Sequence, residues 1–495
     1  MTTFIVALIA LVLGYVLYGA FVQKVFGADP NRKTPCFTQQ DGVDFIPMPT
    51  WKVFLIQFLN IAGTGPIFGA ILGILFGPAA YLWIVIGCIF AGAVHDYFSG
   101  MISLRNNGAS LPEIIGNELG NTFRVVVLIV SLFLLILVGA VFVTTPAGLL
   151  ANLTQGWGDK QTLLYIWIAL IFVYYLLATL MPIDKIIGKI YPVFGVALLI
   201  MAIGVLCGIF TQDGNLPEIT QAFHNQHPKG SPIFPVICIT IACGAISGFH
   251  ATQSPLMARC MTNEKLGRPI FYGAMITEGF VALIWAAAAI MFADSLDVAG
   301  DTPYEKLLTA MTDPDTGKLN PAIIVNDICN NWMGRIGAVL AILGVVAAPI
   351  TSGDTALRSA RLILADFLKM KQKKIHYRLS LAIPIFALSF LLICVNFDIL
   401  WRYFGWTNQT LGAFTLWAMT AYLAKRGKWA YFITIIPALW MTLVCITYIF
   451  AAPEGISLQA STATIIGGIV TACILISFII WMRKKKQGIQ ESYKK

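Results

Sequence analysis

Gln57-Phe58-Leu59-Asn60-Ile61-Ala62-Gly63-Thr64-Gly65-Pro66-Ile67-Phe68-Gly69 occupies the middle of an apolar run covering 51–76. A run of that length can cross a bilayer as a helix, which needs about 20 apolar residues. Its centre is not helix-forming. Pro66 removes a backbone hydrogen bond and clashes with the preceding turn, and Gly63 and Gly65 favour an unwound stretch. A second stretch, Ala242-Cys243-Gly244-Ala245-Ile246-Ser247-Gly248-Phe249-His250-Ala251-Thr252-Gln253-Ser254-Pro255, has the same character within the run 233–260. Gly244, Gly248 and Pro255 surround polar residues there, and the run exceeds one crossing. Either stretch alone is compatible with a proline kink and tight glycine packing, both common in membrane helices.

The composition supplies the setting. Of 495 residues, 58% are hydrophobic and 12% charged, against about 25% charged in a typical soluble domain. Mean hydropathy is +0.79. This excludes a soluble enzyme, a secreted domain and a disordered chain, and predicts an all-α polytopic membrane protein. Thirteen runs are candidate spans: 4–22, 51–76, 79–104, 123–150, 163–181, 190–210, 233–260, 270–292, 336–351, 377–395, 403–424, 429–450 and 463–481. The first lacks a basic leader and a cleavage site and reads as a retained helix.

Charge tests the count. With thirteen crossings, the N-terminal side holds Lys160, Lys229, Lys306, Lys318, Arg335 and Arg402, and the other side holds the remaining 27 of 33 Lys and Arg. The positive-inside rule then places the N-terminus outside and the C-terminus in the cytoplasm. Seven basic residues lie between Arg358 and Arg378, and six follow Trp481. Without interleaved aromatic stacking motifs, these runs suit anionic lipid and not nucleic acid. Ten Cys include Cys88, Cys207, Cys238, Cys243, Cys394, Cys445 and Cys473 inside apolar runs, with no CxxC pair. No disulfide, metal site or cofactor is expected from them. The acidic outer segment contains Asp313-Pro314-Asp315-Thr316-Gly317, faintly like a calcium loop but lacking its later carboxylates, and reads as a turn.

The two interrupted runs are the second and the seventh, five apart. An odd offset inverts the second set of five helices relative to the first. Corresponding broken helices in two halves point to an inverted-repeat transporter with its site at the breaks. The organisation that follows is an N-terminal helix and cytoplasmic loop (1–50), a first five-helix repeat (51–211), a second (233–424, with an acidic outer loop 293–335), and two C-terminal helices with a basic tail (429–495).

Ala91-Gly92-Ala93-Val94-His95-Asp96-Tyr97-Phe98-Ser99-Gly100, Ser110-Leu111-Pro112-Glu113 and Ala242–Ala251 resemble the carbon starvation protein A family. The resemblance spans about 11–420, and the chain is similar to a compact form, since some members carry more C-terminal helices. It implies an inner-membrane, multi-pass transporter of small peptides or, in some members, pyruvate, used when preferred carbon runs short. It also implies a LeuT-type 5+5 arrangement.

Polar groups at membrane depth are costly and usually functional. For substrate, the candidates are Asn60, Gly63, Thr64, Gly65, Pro66, Ser247, Gly248, His250, Gln253 and Asn408. Amides at a half-helix start can hold a carboxylate, and freed carbonyls a cation. For ion or proton coupling, they are His95, Asp96, Glu278, Thr351, Ser352 and Asp354. His95 and Asp96 point about 100° apart on a helix, which predicts that they form no dyad and that one of them pairs with a neighbouring helix. Ser99, one turn after His95, permits a Ser–His contact and an intramembrane hydrolase, but Asp96 is misplaced to orient His95 and no GxSxG elbow exists. Pro349-Ile350-Thr351-Ser352-Gly353-Asp354 admits two readings: a cation or proton site like the paired hydroxyls of LeuT-type folds, or an N-cap opening a cytoplasmic helix. Asn408-Gln409-Thr410 reads as an outer gate or an interhelical hydrogen-bond cluster. The expected protein is a secondary transporter, not an enzyme, importing a peptide with a proton, or less readily with Na⁺. A pyruvate/proton symporter is the alternative; a channel and a starvation sensor are more remote.

Overall fold

The computed structural model describes all residues except 184–186, 314–316, 394–396, 428 and 493–495. Cys394, the centre of the 313–317 turn and the end of the basic tail therefore lie outside the described residues. Among those described, the chain is helical, with no strand beyond one isolated bridge between Thr312 and Leu319. Lipid offers no hydrogen bonds, so backbone groups at membrane depth must be satisfied within the segment, and a helix does this.

Among the described residues, nine single helices are long and apolar enough to cross a membrane, and the pair Thr50–Ile61 and Gly65–Phe76, bent by 53°, makes a tenth crossing if it counts as one span. By this measure ten spans stand where thirteen runs were expected. The other three fold as helices of a different kind. The seventh run divides into Ile233–Thr240 and Gly248–Ala258, each too short to cross alone. Ala348–Phe367 carries buried Asp354, Arg358 and Arg361, and Phe397–Lys425 carries buried Asn408 and Gln409. Their polar content is turned inward. The ninth run also extends beyond its expected end, passing through a π-helical turn at Leu343–Ala347 into Ala348–Phe367.

Burial ranks the helices from the centre outward. The most apolar window of Glu264–Asp294 is 89% buried, that of Thr2–Phe26 28% and that of Ala460–Lys484 17%. The sequence explains the ranking. Glu264–Asp294 is rich in Gly and Ala, which let neighbouring backbones approach; a Cβ added at Gly279 would lie 2.6 Å from Cys88 Sγ. Ala460–Lys484 instead exposes Ile465, Ile469, Ile476 and Ile480, a helical stripe suited to lipid.

Segments that the charge distribution assigns to one side meet in space. Asp44, in the loop before the second span, lies 2.9 Å from Arg358 Nη1 and 3.4 Å from Arg361 Nη2. Arg259 pairs with Asp366 at 2.9 Å, Arg105 with Glu264 at 3.0 Å and Lys425 with Glu118 at 2.8 Å. Burial pushes the Asp44 carboxyl up, but Arg361, Arg358 and Arg259 more than offset this and hold it below the usual carboxylate value. At the opposite end, the Met1 ammonium lies 2.6 Å from Glu218.

Candidate functional site

The two helix breaks touch one another. The first begins at Ala62 (φ −83°, ψ 57°), and helical structure resumes as a π-turn at Gly65–Gly69. The second begins at Ile241 (φ −95°, ψ 66°), passes Gly244 at φ +93° and extended Ser247, and ends where the helix restarts at Gly248. A Cβ added at Gly65 would lie 2.4 Å from Cys243 Sγ, and one at Gly69 would lie 2.8 Å from the Thr240 carbonyl oxygen. One at Gly248 would lie 2.2 Å from the Asn408 carbonyl oxygen. Gly69 and Gly248 are required because backbone packs on backbone there, and Gly65 because the Cys243 side chain fills the space a Cβ would take. The second break falls at 241–247, earlier than the sequence suggests. The first half-helix ends at Thr240, left-handed Gly244 turns the chain inside the break, and the restart at Gly248 puts His250 in the first turn of the second half, not in the unwound stretch.

Neighbouring side chains satisfy the interrupted backbone, as burial demands. Trp83 Nε1 donates to the Ile241 carbonyl at 3.0 Å, and Gln409 Nε2 donates to the Cys238 carbonyl at 2.8 Å. Asn408 Oδ1 accepts from the Phe249 N–H at 2.7 Å and from Ser247 Oγ at 3.1 Å. Asn408 and Gln409 therefore clasp both halves of the broken helix. One first-turn amide expected to face a substrate carboxylate is held by Asn408. At the first break, Ser352 Oγ donates to the Leu59 carbonyl at 3.3 Å.

Behind the second break lies a buried chain of polar side chains. His95 Nδ1 is 2.9 Å from Asp96 Oδ1, and His250 Nδ1 is 3.0 Å from Asp96 Oδ2. His250 Nε2 is 3.6 Å from Glu278 Oε2. All four residues are fully buried. The expectation that His95 and Asp96 form no dyad is wrong. Their Cα–Cβ bonds diverge around the helix, but adjacent Cα atoms are only about 3.8 Å apart, and the imidazole folds back to the carboxylate. Asp96 pairs at once with its chain neighbour and with His250 on the helix Gly248–Ala258. Ser99 Oγ makes no hydrogen bond among the described residues, so the Ser–His contact is not made.

A second cluster borders the first break. Tyr191 OH lies 2.7 Å from Asp354 Oδ2 and 2.8 Å from the Thr351 carbonyl oxygen. Thr351 Oγ1 donates to the Ala348 carbonyl at 2.8 Å. Thr351, Ser352 and Asp354 are interior to Ala348–Phe367, which has no side-chain cap at its start. The N-cap reading of these residues is overturned, because the helix is already running when it reaches them. A Cβ added at Gly63 would be 3.1 Å from Ser352 Oγ, which places this cluster against the break. Gln253 Oε1 accepts from Ser359 Oγ at 3.3 Å, tying the second half-helix to the same helix. Thr64 and Pro66 are buried at the first break; Asn60 is buried two residues before it, its amide making no hydrogen bond among the described residues. Asn408 and Gln409 make the interhelical hydrogen bonds that the sequence offered as one reading of Asn408-Gln409-Thr410. Sequence reasoning missed Tyr191, Trp83 and Cys243 as parts of the site; they look like ordinary membrane-helix residues.

The comparisons agree with this architecture. The family pattern described as "Carbon starvation protein CstA" matches residues 1–213, 159–316 and 309–448. An uncharacterized membrane protein of Haemophilus influenzae is 46% identical over 59% of this chain and 91% of its own. The pyruvate/proton symporter BtsT of Escherichia coli is 27% identical over 88% of this chain and 79% of its own. The peptide transporter CstA of Campylobacter jejuni is 26% identical over 87% and 77%. A crystal structure of a mutant manganese transporter of Eremococcus coleocola shares the fold, with a TM-score of 0.54, 12% identity, and 90% of this chain and 99% of that one covered. This multi-pass chain belongs to the carbon starvation protein CstA family.

Proposed function

We propose that the chain is a secondary active transporter that imports small peptides across the inner membrane with an inward-moving proton. Spans 2–6 and 7–11 are read as LeuT-type inverted repeats, with the N-terminus outside. The observation that carries this is the contact between two helix breaks, each the first helix of its proposed repeat, inside a shell of buried polar groups. A channel would not need interruptions in corresponding helices.

In this reading, the substrate carboxylate is received at the start of Gly248–Ala258, where amide N–H groups and the helix dipole favour an anion. Asn408 yields its hydrogen bond with Phe249 N–H as the carboxylate arrives. Asp96 and Glu278 offer negative charge to a peptide ammonium, and Asp96, itself bonded to His95, holds the His250 ring. The coupling proton is carried at Asp354, beside Tyr191, Thr351 and Ser352. A second reading, pyruvate/proton symport, draws on the likeness to BtsT across most of the chain.

Uptake into proteoliposomes tests both. A panel of short peptides and pyruvate is supplied under separate proton and Na⁺ gradients. Accumulation above the outside concentration, only with an inward proton gradient, supports symport, and the substrate that accumulates chooses between the readings. Non-saturable flux without accumulation indicates a channel, and Na⁺-only accumulation removes the proton.

A further inference from the structure

We propose that Cys243, His250 and Glu278 form a binding site for a divalent transition-metal ion of borderline softness, joining the second helix break to the helix Gly273–Asp294. One ligand atom from each residue lies within 4.8 Å of the others, and all three residues are buried. His250 Nε2 and Glu278 Oε2 are 3.6 Å apart. Ligands at about 2.0–2.3 Å from a tetrahedral ion are separated by about 3.3–3.8 Å, so modest rotation of the Cys243 thiol closes the set.

The surroundings fit the same assignment. Metal-binding histidines commonly give their other ring nitrogen to a carboxylate, which fixes ring orientation and raises ligand basicity. Asp96 does this for His250 Nδ1 at 3.0 Å and leaves Nε2 pointing at Glu278. His250 Nε2 and both Glu278 oxygens are buried and make no hydrogen bond among the described residues. A thiolate, an imidazole and a carboxylate suit Zn²⁺ or Co²⁺ and not Mg²⁺, Ca²⁺ or Na⁺, which prefer oxygen. Binding releases the Cys243 thiol proton to solvent and uses neutral His250. Three protein ligands leave a fourth position for water or an incoming carboxylate.

Cys243 also packs on Gly65, so a bound ion ties both breaks to a central helix. Occupancy is therefore expected to arrest transport; this consequence alone rests on the function proposed above. The binding itself is tested without transport. The purified full-length chain in detergent is titrated with Co²⁺. The expected result is one equivalent bound, with a thiolate-to-cobalt charge-transfer band that Zn²⁺ displaces. Cys243→Ser should abolish the band, and Glu278→Gln should weaken binding about tenfold or more. Replacing the exposed cysteines Cys207 and Cys473 by Ser should leave it unchanged. If Cys243→Ser fails to fold, Cys243→Ala replaces it, and Zn²⁺ should raise the melting temperature of the wild type only. A wild type without the thiolate band, or a band that persists in a folded Cys243 variant, overturns the proposal.

Discussion

Replacing Gly65 by alanine adds one methyl group where the two helix breaks touch. That carbon would sit 2.4 Å from Cys243 Sγ and 2.5 Å from Cys243 Cβ, whereas carbon contacts are comfortable at about 3.5–4.0 Å. Rotating the cysteine moves its sulfur but not its Cβ, so the two breaks must part by about 1 Å. Overpacking of this kind costs about 1–3 kcal/mol, which changes the population of the touching state about 5- to 150-fold. The assays are initial uptake rates in proteoliposomes and melting temperature in detergent, for Gly65→Ala, Cys243→Gly and the pair. Gly65→Ala should slow uptake at least about fivefold, and the double variant should recover part of the loss. The coupling in such a cycle should reach about 0.5–3 kcal/mol. Gly65→Leu should abolish uptake while the chain still inserts. Wild-type uptake by Gly65→Ala, or strictly additive effects in the cycle, would refute the claim that the breaks meet here.

Asp44→Asn leaves Arg358 and Arg361 buried beside a neutral group, and breaking such a pair costs about 3–5 kcal/mol, to be read as a lower melting temperature. Because the native Asp44 carboxyl titrates below its usual value, its contribution is complete above the unfolded value of about 3.9. The gap between wild type and variant should hold from neutral pH down to that point and close only as pH falls further. Asp354→Asn should flatten the dependence of uptake on the proton gradient more than it changes substrate affinity measured without a gradient; intact coupling would move the proton elsewhere. His250→Gln should weaken substrate binding measured at equilibrium, and unchanged affinity would make His250 purely structural. Reporter fusions after Lys189, Lys374 and Arg426 should report the cytoplasm and fusions near Lys229 and Asp315 the exterior; opposite results at two of these sites would defeat the inverted-repeat assignment.

The sequence by itself determined the solvent, the helical class and the two runs in which helices fail. Apolar runs of bilayer length leave the backbone no other way to satisfy itself, and Gly63-Thr64-Gly65-Pro66 and Gly244 interrupt helices through local sterics that need no neighbour. The extent and burial of Ala348–Phe367 were hidden because Asp354, Arg358 and Arg361 look like a solvated cytoplasmic segment until the structure surrounds them with partners. Tertiary structure alone decided that Gly65 meets Cys243, that Asn408 and Gln409 clasp the second break, and that Asp96 joins His95 to His250. Those pairings link residues 154 to 178 positions apart. No local periodicity carries information at that range; it arises when small residues on separate helices let backbones close to contact. The helical-wheel argument failed at His95 and Asp96 because it follows Cα–Cβ directions, whereas hydrogen bonds are made by side-chain ends that rotate until a buried charge finds its partner.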